Sequence, residues 1–138
     1  MGGAAVRGIS KGLSGVGVGL VVVALAAGPA YAKGDVSVVA PRAVGVGKVF
    51  KVSAHGDDDA AQYLRICLQE RSGKAAWRQV GCGGVVRRGG PEGRVAVQVK
   101  GVRRGGLEFR AVVYGLKGPK DRHPVRWRIS DVVSVRVR

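Results

Sequence analysis

The chain has 138 residues, with 24 Lys and Arg side chains against nine Asp and Glu, a formal net charge of +15. This length suits one domain with a single hydrophobic core, and the charge favours anionic partners over cationic ones. Asn is absent, which excludes N-linked glycosylation. Thr is also absent and Arg outnumbers Lys two to one, a bias that favours a GC-rich bacterial genome such as that of an actinobacterium.

Residues 1–32 have the pattern of a secretory signal peptide: a short basic region, an apolar run and a small-residue cleavage site. The basic region contains Arg7 and Lys11, and the apolar run spans residues 16–27. Ala30 and Ala32 form the cleavage site, which lies before Lys33. The apolar run is shorter than the ~20 residues that cross a bilayer. We therefore expect a cleaved signal rather than a membrane anchor, and contact with the membrane only transiently during export.

Cleavage after Ala32 leaves a mature domain of residues 33–138. Its formal charge is +13, because two basic residues and no acidic ones precede the cleavage site. A second long apolar run does not occur in the sequence. We therefore expect a secreted, extracellular monomer.

The apolar residues of the mature domain alternate with polar ones, which is the pattern of half-buried strands. Valine, a β-branched residue that favours strands, dominates these segments. Seven of them occur, separated by turns rich in Gly, Pro or charge: residues 35–40, 48–54, 62–70, 77–82, 93–100, 107–114 and 131–138. The pattern predicts an all-β fold, a seven-stranded antiparallel β-sandwich, with a small closed barrel as the alternative.

Residues 123–130 alternate as well and are expected to form a bulged lead-in to the last strand. The spacing of the aromatic residues Phe50, Phe109 and Trp127 predicts that all three face the core. Few aromatic side chains would then remain exposed for base stacking.

The two cysteines, Cys67 and Cys82, predict a disulfide in an exported chain, with a free pair or a zinc site as alternatives. If they face each other in a hairpin, the turn centre falls between Lys74 and Ala75, where turn-forming residues lie. Cys67 alternates with inward-facing leucine and isoleucine residues. The bridge is therefore expected on the outer face of one sheet, joining neighbouring strands.

The segments GGLEFRAVVYGLKG and ISDVVSVRVR resemble the F and G strands of immunoglobulin-like and fibronectin type III-like domains. KVFKVSAHG resembles strand B, and YLRICLQER with WRQV resembles a C–C′ hairpin. The resemblance implies an immunoglobulin-like β-sandwich over residues 33–138 and implies no activity. The chain departs from the antibody pattern in two ways, since the tyrosine corner and the inter-sheet disulfide are missing.

A weaker similarity is to the neocarzinostatin-type apoproteins, which are secreted, seven-stranded and stapled by a hairpin disulfide in a comparable place. Their second disulfide has no counterpart in this chain. This resemblance implies the alternative function of a small-molecule carrier.

A third hypothesis is a secreted inhibitor that presents the loop of residues 115–124 to another protein.

Catalytic chemistry is not predicted. His55 and His123 lie outside any motif, and no nucleophile signature such as GxSxG occurs. The acidic residues Asp57, Asp58 and Asp59 lack the spacing of an EF-hand loop and are expected to form a solvated connection. We therefore expect a non-enzymatic protein without a cofactor or a metal site.

The basic loops are the strongest functional feature of the sequence. In an immunoglobulin-like layout the AB, CC′ and EF loops share one end of the sandwich. Eight basic residues in or beside these loops are the candidates for polyanion binding: Arg42, Lys48, Arg71, Lys74, Arg78, Lys100, Arg103 and Arg104. The partner would be an anionic polymer or an acidic protein at the cell envelope, without sequence-specific recognition of nucleic acid. The competing interpretation is that the charge serves only solubility.

Overall fold

A computed structural model describes residues 36–138, which form two packed β-sheets and no helix. The strands are β1 (Val36–Val39), β2 (Ala43–Val44), β3 (Val49–Gly56), β4 (Tyr63–Ser72), β5 (Arg78–Cys82), β6 (Val86–Arg87), β7 (Gly93–Lys100), β8 (Gly105–Leu116), β9 (Val125–Ile129) and β10 (Val133–Val137). The all-β prediction is confirmed. The signal peptide with Ala30, Ala32 and Lys33 lies outside the described residues and stays a prediction.

One sheet has the order β1-β3-β7, and the other has the order β2-β10-β8-β4-β5, with β6 beside β4 and β9 beside β8. Every described pair is antiparallel except β2 with β10, which run parallel. In immunoglobulin nomenclature the sheets are A-B-E and A′-G-F-C-C′. No described residue belongs to a helix able to cross a bilayer.

All seven predicted strands are present, and each ends within two residues of the predicted boundary. The lead-in predicted over residues 123–130 forms the separate strand β9, and the structure adds two unpredicted strands, β2 and β6, of two residues each. Such short strands carry too little alternation for the sequence to reveal them. They form because longer neighbours, β10 and β4, offer unpaired backbone groups.

The core lies between the sheets and is built from the alternating residues of the long strands. Val52, Ile66, Leu68, Phe109 and Val135 are fully buried. The rings of Phe50 and Phe109 meet edge to face, with centroids 6.1 Å apart, a favoured aromatic geometry. Burial of each such side chain contributes about 1.5–3 kcal/mol before conformational entropy is counted.

The disulfide between Cys67 and Cys82 is confirmed, and the two residues face each other across β4 and β5. The register shifts beyond Leu68, and the amide of Ala75 donates to the carbonyl of Ser72 at 3.1 Å. The turn centre therefore lies one residue before its predicted place. A bulge in β5, which skips Val80 in the pairing, accounts for half a residue of this shift. Such a bulge leaves no trace in the alternation of so short a strand.

The bulge expected before the last strand is present, because the register of β8 and β9 shifts between Val113 and Tyr114. The prediction that Trp127 faces the core is wrong, since 48% of its surface is exposed. The bulge leaves Trp127 outside the pairing, so alternation no longer reports its direction. Its indole instead covers Gly115, where a Cβ atom would collide with the ring.

Candidate anion-binding groove

A groove opens between the two sheets where their edge strands β5 and β7 separate. The strands approach closely at Gly81, where a Cβ atom would lie 2.5 Å from the Cγ1 of Val97. Toward the turn of residues 72–75 and the loop of residues 101–104, the gap becomes an open groove of about 990 Å³. The groove therefore occupies the end of the sandwich that the basic loops were predicted to share.

The groove has apolar walls and a basic rim. Val80, Val97, Val99 and Leu107 are partly buried against the core, and their remaining surface lines the groove. The basic lining residues come from β4, β5, β7 and the loop that follows β7: Arg71, Arg78, Lys100, Arg103 and Arg104. Such a surface combines apolar contact with attraction for anions.

Five of the eight candidate residues thus line the groove, whereas Arg42, Lys48 and Lys74 do not. Lys48 is still close to it, because its carbonyl oxygen accepts the amide of Gly101 at 3.0 Å. The structure also brings Arg138 to this end, where its amide donates to the carbonyl of Val44 at 3.0 Å. The parallel pairing of β2 and β10 places Arg138 there, and strand alternation alone did not predict it.

Two carboxylates join this end, although only Glu70 was expected. Glu70 pairs with Arg78 at 2.9 Å, and Glu108 pairs with Arg71 at 2.6 Å. Glu108 was missed because it reaches Arg71 only through the cross-strand register of β4 and β8. By contrast, no carboxylate within residues 36–138 forms an ion pair with the basic rim residues Lys100, Arg103 and Arg104.

Beside the groove, two guanidinium groups lie over the ring of Trp77. The Cζ atoms of Arg71 and Arg110 are 4.5 and 4.3 Å from the ring centroid, a cation–π geometry worth about 0.5–1 kcal/mol at exposed sites. Arg110 also donates its Nε to Gln69 at 2.7 Å. Partial burial, followed by the charges of Arg126 and Arg71, lowers the pKa of Arg110. An anion at this position would relieve that repulsion.

At the opposite end, Asp58 is buried with 4% of its surface exposed, so the prediction of a fully solvated acidic loop is wrong for it. Its Oδ1 accepts the amide of Ala60 at 2.8 Å, and its Oδ2 lies 3.4 Å from the Nε of Arg128. These contacts compensate for the burial of a charge. Within residues 36–138 no group of three or more His, Cys, Asp or Glu side chains could hold a metal ion.

A second carboxylate at this opposite end is held by backbone donors. Asp121 accepts the amides of Lys117 and His123 at 3.0 and 2.9 Å. These hydrogen bonds, first that of Lys117 and then that of His123, lower the pKa of Asp121. Acidic groups here stabilise turns.

No protein family and no curated protein matches the sequence. Among solved structures, the chain is similar to the CARDB domain of a Pyrococcus furiosus protein, solved in complex with di-metal ions. The two share 14% identity with a TM-score of 0.46, over 75% of this chain and 85% of that one.

Proposed function

We propose that this protein is a secreted, non-enzymatic domain that binds an anionic partner at the cell envelope or in the medium. The binding site is the groove between β5 and β7. The partner carries its negative charges on the basic rim and its less polar parts against the valine walls.

The observation that carries this proposal is the uncompensated charge of Lys100, Arg103 and Arg104 at the rim of an open groove. Basic residues that serve only solubility are commonly interspersed with acidic ones. Here three neighbouring cations lack an ion-pair partner within the described part of the chain. Their mutual repulsion is a cost that an anionic ligand would remove.

Retention on immobilised heparin, a generic polyanion, tests the proposal. We expect the purified protein to elute well above ~0.15 M salt, where the Debye length is about 8 Å. Reversing both arginines in Arg103→Glu/Arg104→Glu should weaken heparin binding roughly tenfold or more, about 1.4 kcal/mol. The measurement is the elution salt concentration, complemented by a dissociation constant for soluble heparin.

A matched control is Lys120→Glu/Arg122→Glu, which makes the same change in net charge at two exposed residues of the opposite end. This variant should elute close to the unmodified protein. If both double variants lose retention equally, the net charge rather than the groove governs binding. Elution of the unmodified protein below ~0.15 M salt would leave solubility as the role of the charge.

The small-molecule carrier is a less well supported alternative. A carrier needs a cleft that encloses most of its ligand, and the residues behind the groove, such as Val52 and Leu68, are fully buried.

The inhibitor hypothesis concerns residues 115–124, at the opposite end of the sandwich from the groove. No feature of that loop indicates a partner of particular chemistry.

A further inference from the structure

We infer that the anionic partner is an extended acidic peptide segment of another protein, which binds by adding a strand to the free edge of β7. The inference rests on the proposed function, because it assigns a ligand class to the same groove. It predicts main-chain hydrogen bonds as the source of affinity and the basic rim as the source of selectivity.

One edge of β7 has no strand partner among the described residues. In the part of the chain that the structure describes, β7 pairs with β3 alone, and no strand occupies the place of an immunoglobulin D strand. An unpaired strand edge presents a row of free N–H and C=O groups. That edge borders the groove, which is lined by residues 97–100.

The backbone groups of alternate β7 residues point toward this unpaired edge. The amide of Gly101 donates to Lys48 at 3.0 Å, which places Gly101 in the hydrogen-bonded class of the antiparallel ladder. Because the two classes alternate, the main-chain groups of Ala96, Gln98 and Lys100 point away from β3. These three residues can therefore supply hydrogen bonds to an added strand.

An independent contact supports this assignment. A Cβ atom at Gly83, in the segment that follows β5, would collide with the carbonyl oxygen of Arg94. Arg94 belongs to the same alternating class as Ala96, so its carbonyl is expected to point outward. The segment around Gly83 thus covers the edge near Arg94, whereas the edge from Ala96 to Lys100 borders the open groove.

The basic charge of the domain distinguishes between the possible occupants of this edge. A second copy of this chain is disfavoured because each mature domain is expected to carry a formal +13, and like charges across an interface are repulsive. An acidic strand is attracted by Lys100, Arg103 and Arg104. Alternate side chains of such a strand would face Val97 and Val99, so a peptide alternating acidic and β-branched residues suits the groove.

The test uses a synthetic heptapeptide of alternating Glu and Val and the same peptide N-methylated at every peptide nitrogen, which keeps its side-chain charges but removes the main-chain donors from both edges. The chain contains two tryptophans, so Trp127→Phe leaves the fluorescence of Trp77, beside the groove, as the reporter. We expect the N-methylated peptide to bind at least roughly tenfold more weakly, the equivalent of losing one or two hydrogen bonds.

Hydrogen exchange measured by NMR provides the second readout. Binding of the unmodified peptide should slow the exchange of the amides of Ala96, Gln98 and Lys100. Gln98→Pro should bind the peptide at least roughly tenfold more weakly than Gln98→Ala, because both variants lack the side-chain amide and only proline lacks the backbone N–H. If the proline variant fails to fold, the two peptides still decide the question with the unmodified chain.

Equal affinity for the two peptides, without amide protection on β7, would overturn the inference. If heparin retention persists in that case, the proposed function stands and the partner is an anionic polymer. Doubling of the molecular mass without peptide would overturn the inference in favour of self-pairing. A separate result would reject the proposed function, namely elution of the unmodified protein from heparin below ~0.15 M salt.

Discussion

The two ends of the sandwich use their charges differently. At the opposite end from the groove, Asp58 is buried, and both of its oxygens are engaged, by Ala60 and by Arg128. At the groove end, Lys100, Arg103 and Arg104 stand at the rim without a carboxylate partner among the described residues. At the opposite end a buried charge holds a loop in place, whereas at the groove end three exposed charges remain available to a ligand.

This difference has an energetic consequence. Removal of a buried, hydrogen-bonded charge leaves its partners unsatisfied and costs stability. Removal of an exposed and unpaired cation leaves nothing unsatisfied, so the folded state should tolerate it. Substitutions at the two ends should therefore separate stability from binding.

The largest expected effect concerns the disulfide, which joins β4 to the edge strand β5. Its 15-residue separation corresponds to about 3 kcal/mol in the chain-entropy account. Cys67→Ser with Cys82→Ser should therefore lower the midpoint of thermal unfolding by roughly 12–24 °C. Calorimetry measures this change, and reduction of the unmodified protein should reproduce it. An unchanged midpoint in both experiments would mean that the bridge does not form in solution.

An intermediate effect is expected at the opposite end. Asp58→Ala should lower the free energy of unfolding by about 1–3 kcal/mol, because the amide of Ala60 loses its acceptor. Heparin retention should not fall. Asp57→Ala is the matched control, since it removes the same charge from an exposed neighbour. Chemical denaturation compares the two variants, and equal destabilisation would contradict the role assigned to Asp58.

The smallest effect is expected at the groove, where the substitution should strengthen heparin binding rather than weaken it. Glu70→Gln frees Arg78 from its 2.9 Å ion pair, so the salt concentration needed to elute the protein from heparin should rise modestly. Stability should change by less than about 1 kcal/mol. Glu92→Gln is the control, because it breaks a 2.8 Å pair with Arg94 at the opposite end. A similar rise in both variants would attribute the effect to net charge alone.

Much of the fold could be predicted from the alternation of apolar and polar residues, because strand periodicity depends only on residues close together in the sequence. Phe50 and Phe109 were assigned to the core from their spacing, and both are buried. The pairing of Cys67 with Cys82 was also predicted from local information, because the two cysteines flank a short segment of turn-forming residues. Prediction failed where alternation is interrupted, as for Trp127 in its bulge and for the two-residue strands.

The candidate site could be predicted only in part. Loop order placed Arg103, Arg104 and Lys100 at one end, because adjacent loops of a sandwich share an end. The pairing of Glu108 with Arg71 and the groove itself depend on cross-strand register and on the separation of β5 from β7. These are relations between residues far apart in sequence, and no local pattern records them.

The sequence by itself determined the seven longer predicted strands, their inward-facing residues outside the bulge of β9, the disulfide and the excess of basic charge. The tertiary structure alone decided which charges are neutralised, which strand edge stays open and where the sheets separate. The physical reason is that periodicity and turn chemistry act over a few residues, whereas ion pairing, burial and edge exposure depend on how two sheets pack. Asp58 and Arg103, both charged loop residues in the sequence, acquire opposite roles only in the folded domain.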